Sequence, residues 1–287
     1  MSEARVIGLL HPGEMGSAVG ATLVAGGARV LWASEGRGAR TRQRAEELGL
    51  EDAGTLERLV GRAEVIFSVV PPHVAVDVAR AVAALRFTGL FVDANAVSPE
   101  TAREIGRIVE RSGARFVDGG IIGPANKKPG AARIYLSGAE ATAVASLFAA
   151  GPVNAIALDG PVGAASALKV AFAGWNKGMQ ALLMAIRALA MAEGVDQALL
   201  AEWRISMPDV PARSERAVHD NVRKAWRFVG EMDEIARTFA QAGLPTGFLD
   251  AAGEVYRRLA GYKDTPTPPA VEEAIAALLK RAARERG

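Results

Sequence analysis

The chain has 287 residues, enough for two domains with separate cores. Half of the residues are hydrophobic and 23% are charged, as in an ordinary globular protein, and a net charge of +2 gives no electrostatic footprint for nucleic acid. Cysteine is absent, which excludes disulfides, iron–sulfur clusters and thiolate chemistry, and His11, His73 and His219 stand in no ligand spacing, so no metal site is expected.

The N-terminal residues lack a basic lead followed by a cleavable apolar stretch, so no signal peptide is expected. The longest apolar tract, 179–192, is interrupted by Gln180 and Arg187 and is too short to span a bilayer. The expectation is a cytoplasmic enzyme with a small-molecule substrate and no membrane partner. Short β-rich runs occur at 6–10, 29–32, 65–70, 90–93, 115–118 and 133–137, with helix-period segments at 17–25, 40–48, 74–84 and 99–111 between most of them. Such alternation predicts an α/β Rossmann-type doubly wound sheet, its parallel strands joined by right-handed helical crossovers. Past residue 163 the strand signals stop, and an all-α C-terminal domain is predicted. One long helix at 166–192 is followed by helices at 196–205, 213–229, 231–242, 248–259 and 270–284. The expected division is 1–162 for the dinucleotide-binding domain and 163–287 for a helical substrate and dimerisation domain. Leu182, Leu183, Met184, Ile186, Leu189 and Met191 make the latter half of the long helix apolar nearly all round, so it should be buried on every face. That points to a homodimer through the helical domain, or to a central helix wrapped by its own domain. The basic tail 280–286 reads as a solvated helix end.

Val6-Ile7-Gly8 leads through Leu9, Leu10, His11, Pro12, Gly13, Glu14 and Met15 to Gly16, after which a small-residue helix begins. Glycines at a turn from strand to helix let the backbone approach a pyrophosphate, which the helix amides then receive. The spacing, G-x4-G-x2-G, has three residues more between the first two glycines than the usual fingerprint. At the end of the second strand, where an NAD site wants a carboxylate, Trp32 is followed by Ala33, Ser34, Glu35, Gly36 and Arg37, then Arg40, Arg42 and Arg44. A hydroxyl and guanidiniums suit a 2′-phosphate, so NADP is expected and NAD less so; the other reading has Glu35 on the ribose and the arginines as a solvated face. The cofactor candidates are Gly8, Leu10, His11, Pro12, Gly13, Glu14, Met15, Ser34, Arg37, Val70, Pro71 and Asn95. Asn95 also qualifies for the substrate, because ligands sit at the carboxyl ends of such strands.

Four segments in this order resemble the β-hydroxyacid dehydrogenase superfamily, which includes 3-hydroxyisobutyrate and 6-phosphogluconate dehydrogenases. Gly13-Glu14-Met15-Gly16 matches the end of its glycine fingerprint. The segment 92–99 is similar to its D-x-S-T-x-S-P stretch, and 116–123 to its substrate loop. Gly160-Pro161-Val162-Gly163 through Lys169 corresponds to the block that carries the family's catalytic lysine. The resemblance therefore implies Lys169 as acid/base and Gly119 and Gly120 in the substrate loop. Three departures stand out: Ala96 replaces a hydroxyl, Gly119-Gly120-Ile121-Ile122 replaces the serine-bearing loop, and Ala173 stands where the family has an asparagine.

Hydride transfer at an alcohol or carbonyl carbon needs a group that exchanges the oxygen's proton, and a lysine near a helix start, partly buried, has its pKa lowered toward that use. Lys169 sits in an apolar run, where an ammonium is costly; the competing reading is a stem lying on apolar surface with its head in water. Asn176 lies seven residues on, roughly 20° off Lys169's face and about 10 Å along the axis, close enough for one substrate to touch both. Lys177 is a candidate for an anionic substrate group, and Glu231 belongs to a segment, 226–232, that either lines the substrate cleft or packs in the core. The expected function is hydride transfer between NADP(H) and a small β-hydroxyacid or its carbonyl counterpart. The alternatives are an imine reductase, a class that usually lacks this lysine, and a dinucleotide sensor without turnover.

Overall fold

The computed structural model describes residues 4–125, 128–263 and 265–279. In chain order the first elements are β1 (Val6–Leu10), α1 (Glu14–Ala25), β2 (Arg29–Trp32), α2 (Ala39–Glu47), β3 (Glu51–Asp52), α3 (Leu56–Val60), β4 (Val65–Ser68) and α4 (Ala75–Ala84). They continue with β5 (Leu90–Asp93), α5 (Pro99–Glu110), β6 (Arg115–Ile122), β7 (Ala132–Ser137), α6 (Ala141–Ala145) and β8 (Val153–Ala157). After these the described chain is helical: α7 (Ala164–Ala192), α8 (Asp196–Ser206), α9 (Val210–Asn221), α10 (Ala225–Gln241), α11 (Gly247–Leu259) and α12 (Val271–Ala277). The expected helix at 270–284 is thus seen to Ala277, and the basic tail 280–286 lies outside the described residues.

The strands form one sheet in the order β3-β2-β1-β4-β5-β6-β7-β8, parallel throughout except for the β6–β7 pair. Both faces are buried, as a parallel sheet covered by crossover helices requires. Ile7, Leu9, Val30 and Phe67 pack with α1 and β8 on one side; Leu31, Ile66, Phe91 and Ile105 pack with α3, α4 and α5 on the other. The strand order reverses between β1 and β4, so their carboxyl ends flank the crevice in which doubly wound sheets bind ligands.

Two strands escape the sequence pattern. β3 is two charged residues held by pairing with β2, too short for any alternation, and β8 is an edge strand. Two other boundaries need correcting. β4 ends at Ser68, not Val70, because the Val70 amide turns to the Asn95 side chain. β6 runs on to Ile122, so the expected substrate loop at 119–122 is a strand.

The chain divides into two compact units, Met1–Lys169 and Val170–Gly287. In the second, Val170, Ala181, Met184 and Ala188 of α7 pack with Val218, Met232, Ile235, Tyr256 and Ile275. The expected helix break at Gly230 is absent: α10 runs through it, and the chain breaks instead at Asn221, followed by one 3₁₀ turn. Gly230 is on the exposed side, where it costs about 1 kcal/mol of propensity. Phe228, Met232, Ile235 and Ala236 meanwhile keep the buried face continuous. Arg187, 1% exposed, holds Asp196 through two parallel bonds of 2.8 and 2.7 Å. Asp196→Ala would strand that guanidinium in the core and is expected to cost about 3–5 kcal/mol, whereas exchanging both partners for leucine should cost much less. Urea unfolding of the two variants measures the difference.

Candidate active site

The first glycine does not make the turn. Gly8 lies inside β1, where a Cβ would stand 2.5 Å from the Leu59 side chain, so it admits α3 against the sheet. The strand continues to the buried Leu10, and the reversal is made by His11 at φ 67°, its carbonyl accepting the Gly13 amide at 2.7 Å. Gly16 is obligatory there, since a Cβ would come within 2.4 Å of the His11 carbonyl oxygen. Pro12 is buried, Met15 packs on the core and Glu14 is exposed. Gly13 caps α1 without a side-chain hydrogen bond, which leaves the first-turn amides open to an anion, as a pyrophosphate requires. A dinucleotide therefore fits this turn.

At the end of β2 the candidates fall into two sets. Arg42 fastens the loop by donating to the Ser34 carbonyl at 2.9 Å and the Arg37 carbonyl at 3.2 Å. Arg37 instead lies 3.4 Å from His11 Nδ1. Burial first, then the charges of Arg37 and Arg44, hold the His11 imidazole below its ordinary pKa. Sequence reasoning missed Asp52, on the unrecognised β3. Against the desolvation that raises it, hydrogen bonds from the Ser34 hydroxyl and from the Gly54 and Ser34 amides, with the Arg42 charge, hold its carboxyl below the usual value. The strand end thus has a carboxylate beside Ser34 after all, contributed by the neighbouring strand.

Asn95 is 3% exposed. Its Oδ1 accepts the Val70 amide at 2.6 Å, while Nδ2 donates to Ser68 Oγ at 3.0 Å and to Asp93 Oδ1 at 2.5 Å. This side chain ties the ends of β4 and β5 together and sets the path of Val70 and Pro71 along the crevice. Ser98 accepts the Thr101 amide and caps α5, which is why Ser-Pro ends this segment.

Beside it lies a pair of carboxylates, Asp93 and Asp118, facing each other across β5 and β6 and both fully buried. Asp118 Oδ2 accepts Ser137 Oγ at 2.9 Å and the Gly163 and Ser166 amides at 3.0 Å each; Oδ1 accepts Ser166 Oγ at 2.6 Å. Ser137 Oγ in turn accepts the Ala165 amide at 3.0 Å. The start of α7 is thereby pinned to β6 and β7. Burial, reinforced by the Asp118 charge and opposed by the Asn95 hydrogen bonds, pushes the Asp93 carboxyl up to about 8.

The pinned helix brings Lys169 against β6. A Cβ on Gly120 would stand 2.7 Å from the Ala165 carbonyl and 3.0 Å from Lys169 Cβ, and one on Gly119 2.9 Å from the Asp93 carbonyl. At both glycines the space a Cβ would take is filled by the backbones of β5 and α7. Lys169 is half-buried, burial pushes its ammonium pKa down, and among the described residues it has no hydrogen-bond or ion-pair partner.

Asn176, Lys177 and Glu231 belong to the second unit. Asn176 Oδ1 accepts Gln180 Nε2 at 3.2 Å. Lys177 pairs with Glu231 and lies 4.7 Å above the Phe228 ring, and its carbonyl accepts the Tyr256 hydroxyl at 2.8 Å. Met232 and Phe228 are core residues, while Trp226 is 43% exposed, with Lys263 over its ring.

An open helix N-terminus at a topological switch point, in a sheet of this order, defines a Rossmann dinucleotide-binding protein. The family model of the NAD binding domain of 6-phosphogluconate dehydrogenase matches residues 5–150, and a domain of unknown function, DUF1932, matches residues 190–259. The chain belongs to that NAD-binding family, within the β-hydroxyacid dehydrogenase superfamily. Over 167 residues, 58% of this chain, it is 30% identical to an uncharacterized 28.5 kDa protein in the 7S RNA 5′ region of Methanothermus fervidus, of whose length the match spans 63%. Among solved structures, one similar chain is a conserved protein of unknown function noted for its similarity to 3-hydroxyacid dehydrogenases. It is 25% identical, with a TM-score of 0.70 over 90% of this chain and 99% of that one. The 3-hydroxyisobutyrate dehydrogenase of Mycobacterium tuberculosis, solved with L-serine, shares the fold at a TM-score of 0.69 and 20% identity, over 98% of this chain and 100% of its own.

The Asp93 carboxyl has a testable consequence for stability. Its folded pKa lies above the unfolded value near 3.9, so the folded state binds the extra proton. That contribution is complete below about pH 4 and is lost as pH rises through about 8. Asp93→Asn, which cannot ionise, is expected to lose less stability than the parent between those limits. Melting temperatures measured across the window should converge or cross; parallel curves would contradict a protonated Asp93.

Proposed function

We propose that the protein is an NADP(H)-dependent oxidoreductase that moves a hydride between the nicotinamide and a small β-hydroxyacid or its carbonyl counterpart, with Lys169 as the acid/base. The observation that carries this reading is Lys169 itself: a half-buried ammonium without an ionic partner among the described residues, on a helix start anchored by Asp118. A structural lysine would have its charge paired or in open water. When bound, the cofactor supplies or accepts the hydride; Gly13 and the first turn of α1 would hold its pyrophosphate, and Ser34 and Arg37 the adenosine end.

In the reductive direction Lys169 Nζ gives its proton to the carbonyl oxygen as negative charge develops there; in the oxidative direction the neutral amine takes the hydroxyl proton. Oxidation should therefore speed up as pH rises through the lysine pKa, itself lowered from the ordinary value, and reduction should slow. Lys169→Ala is expected to lower kcat by about 10²–10⁴-fold while leaving NADPH affinity within a small factor. A panel of carbonyl compounds and hydroxyacids, assayed with NADPH and NADH, checks both claims. Equal turnover by both proteins would remove the lysine, and a clear NADH preference would remove the NADP reading and give the adenosine site to Asp52.

A homodimer through α7 belongs to the same proposal. Phe172, Trp175, Met179, Leu182, Ile186 and Leu189 follow alternating steps of three and four along one side of the helix, and Trp175, Leu182 and Leu189 are 69%, 58% and 62% exposed. The expectation that this helix is buried on every face thus fails within one chain. The exposed apolar parts amount to roughly 500 Å² per copy, so two copies would bury about 1,000 Å², the lower edge of a specific interface. Leu182→Glu should convert a sedimenting dimer to monomer, and a monomeric parent protein would end this part of the proposal.

A further inference from the structure

His11 stands in the left-handed region at φ 67°, which few residues besides glycine, asparagine, aspartate and histidine adopt, and the fold holds it there through the Gly13 amide and the close approach of Gly16. The constraint aims its ring in a definite direction. One edge lies against Gly13, whose added Cβ would be 3.1 Å from Nε2 and 3.2 Å from Cδ2. The other edge, Nδ1, is 3.4 Å from the Arg37 guanidinium. The imidazole therefore bridges the cap of α1 and the loop after β2. The charges acting on it are cations from two elements, Arg37 on that loop and Arg44 on α2. Arg42 takes no part, since its guanidinium is engaged by backbone carbonyls. Among the described residues no acid acts on this half-buried imidazole, and one dianion placed beside it and the Arg37 guanidinium would supply negative charge to both.

We propose that His11 and Arg37 form the subsite for the 2′-phosphate of NADP(H), with the His11 ring donating a hydrogen bond to it. The inference rests on the NADP reading above and adds a ligand from the glycine loop. It also has a consequence that guanidiniums alone lack. In the free protein burial and the two neighbouring arginines keep the ring neutral, whereas a bound dianion favours the imidazolium, so the ring takes a proton from solvent as the cofactor binds. NADH, without the 2′-phosphate, gives the ring no such reason to protonate.

Calorimetric titration of the full-length protein with NADPH and with NADH, in buffers of different ionisation enthalpy at about pH 7.5, measures the protons exchanged; there the free phosphate has already lost its second proton. NADPH is expected to bind with uptake of a substantial fraction of a proton and NADH with none. Asparagine tolerates the left-handed backbone, so His11→Asn should fold, as its melting temperature will check, and should abolish the uptake while weakening NADPH about tenfold and NADH little. Undiminished uptake in His11→Asn, or equal uptake with NADH, would overturn the assignment; the latter would move His11 to the pyrophosphate. If NADPH is preferred but its binding exchanges no proton, this inference fails while the NADP reading stands. If NADPH is not preferred at any pH, both fail.

Discussion

One buried carboxylate organises the candidate site. Asp118 receives four hydrogen bonds, from a serine on β7, from the amides of Gly163 and Ser166 and from the Ser166 hydroxyl, and so fixes where α7 begins. Hydrogen bonds to a charged group contribute roughly 1.5–3 kcal/mol each, and a helix start with unmet amides would be costly inside the fold. The negative charge also lies at the positive end of a 29-residue helix. Lys169, one turn further on, takes its position from this attachment, and Gly120 lets the helix come close enough to β6 for it to matter.

The same charge shapes its neighbour. Two carboxylates side by side on adjacent strands in a dry interior cannot both ionise without a large penalty, and the hydrogen bonds decide which one does. Asp118 has four donors, whereas burial first and then the neighbouring Asp118 carboxylate push the Asp93 carboxyl up to about 8. Through Asn95 that acid is tied to Ser68 and the Val70 amide, so the lip of the ligand crevice is held by the residue that faces Asp118 across the strand pair. Asn95, which reads as a ligand contact in the sequence, also holds the backbone here.

The end of β2 carries a balance of charge. His11 and Arg37 meet from the glycine loop and the loop after β2, the Arg44 charge also acts on the ring, and Asp52 reaches Ser34 from the adjacent strand. Cofactor choice at such a strand end is a contest between a dianion drawn to cations and a ribose hydroxyl drawn to a carboxylate. Two residues of β3, placed by pairing with β2, bring the second contender to the site.

Local signals made much of this protein legible. Alternating apolar runs and helix-period segments are properties of neighbouring residues, and they specify a doubly wound sheet followed by helices. The Gly13–Gly16 turn and the lysine after Gly163 are short motifs whose chemistry is local too. What needed the tertiary structure was set by residues distant in sequence. β3 exists through its partner strand, and Gly119 and Gly120 stay extended because other backbones approach them. α10 passes through Gly230 because its buried face continues. Asp118 meets Ser166 across 48 positions, and Asp52 meets Ser34 across a strand pair. Period and motif dictate which elements form. Which polar group is buried, which keeps a proton and which is left facing the ligand depends on desolvation and hydrogen-bond partners, and those come into being only when the elements pack.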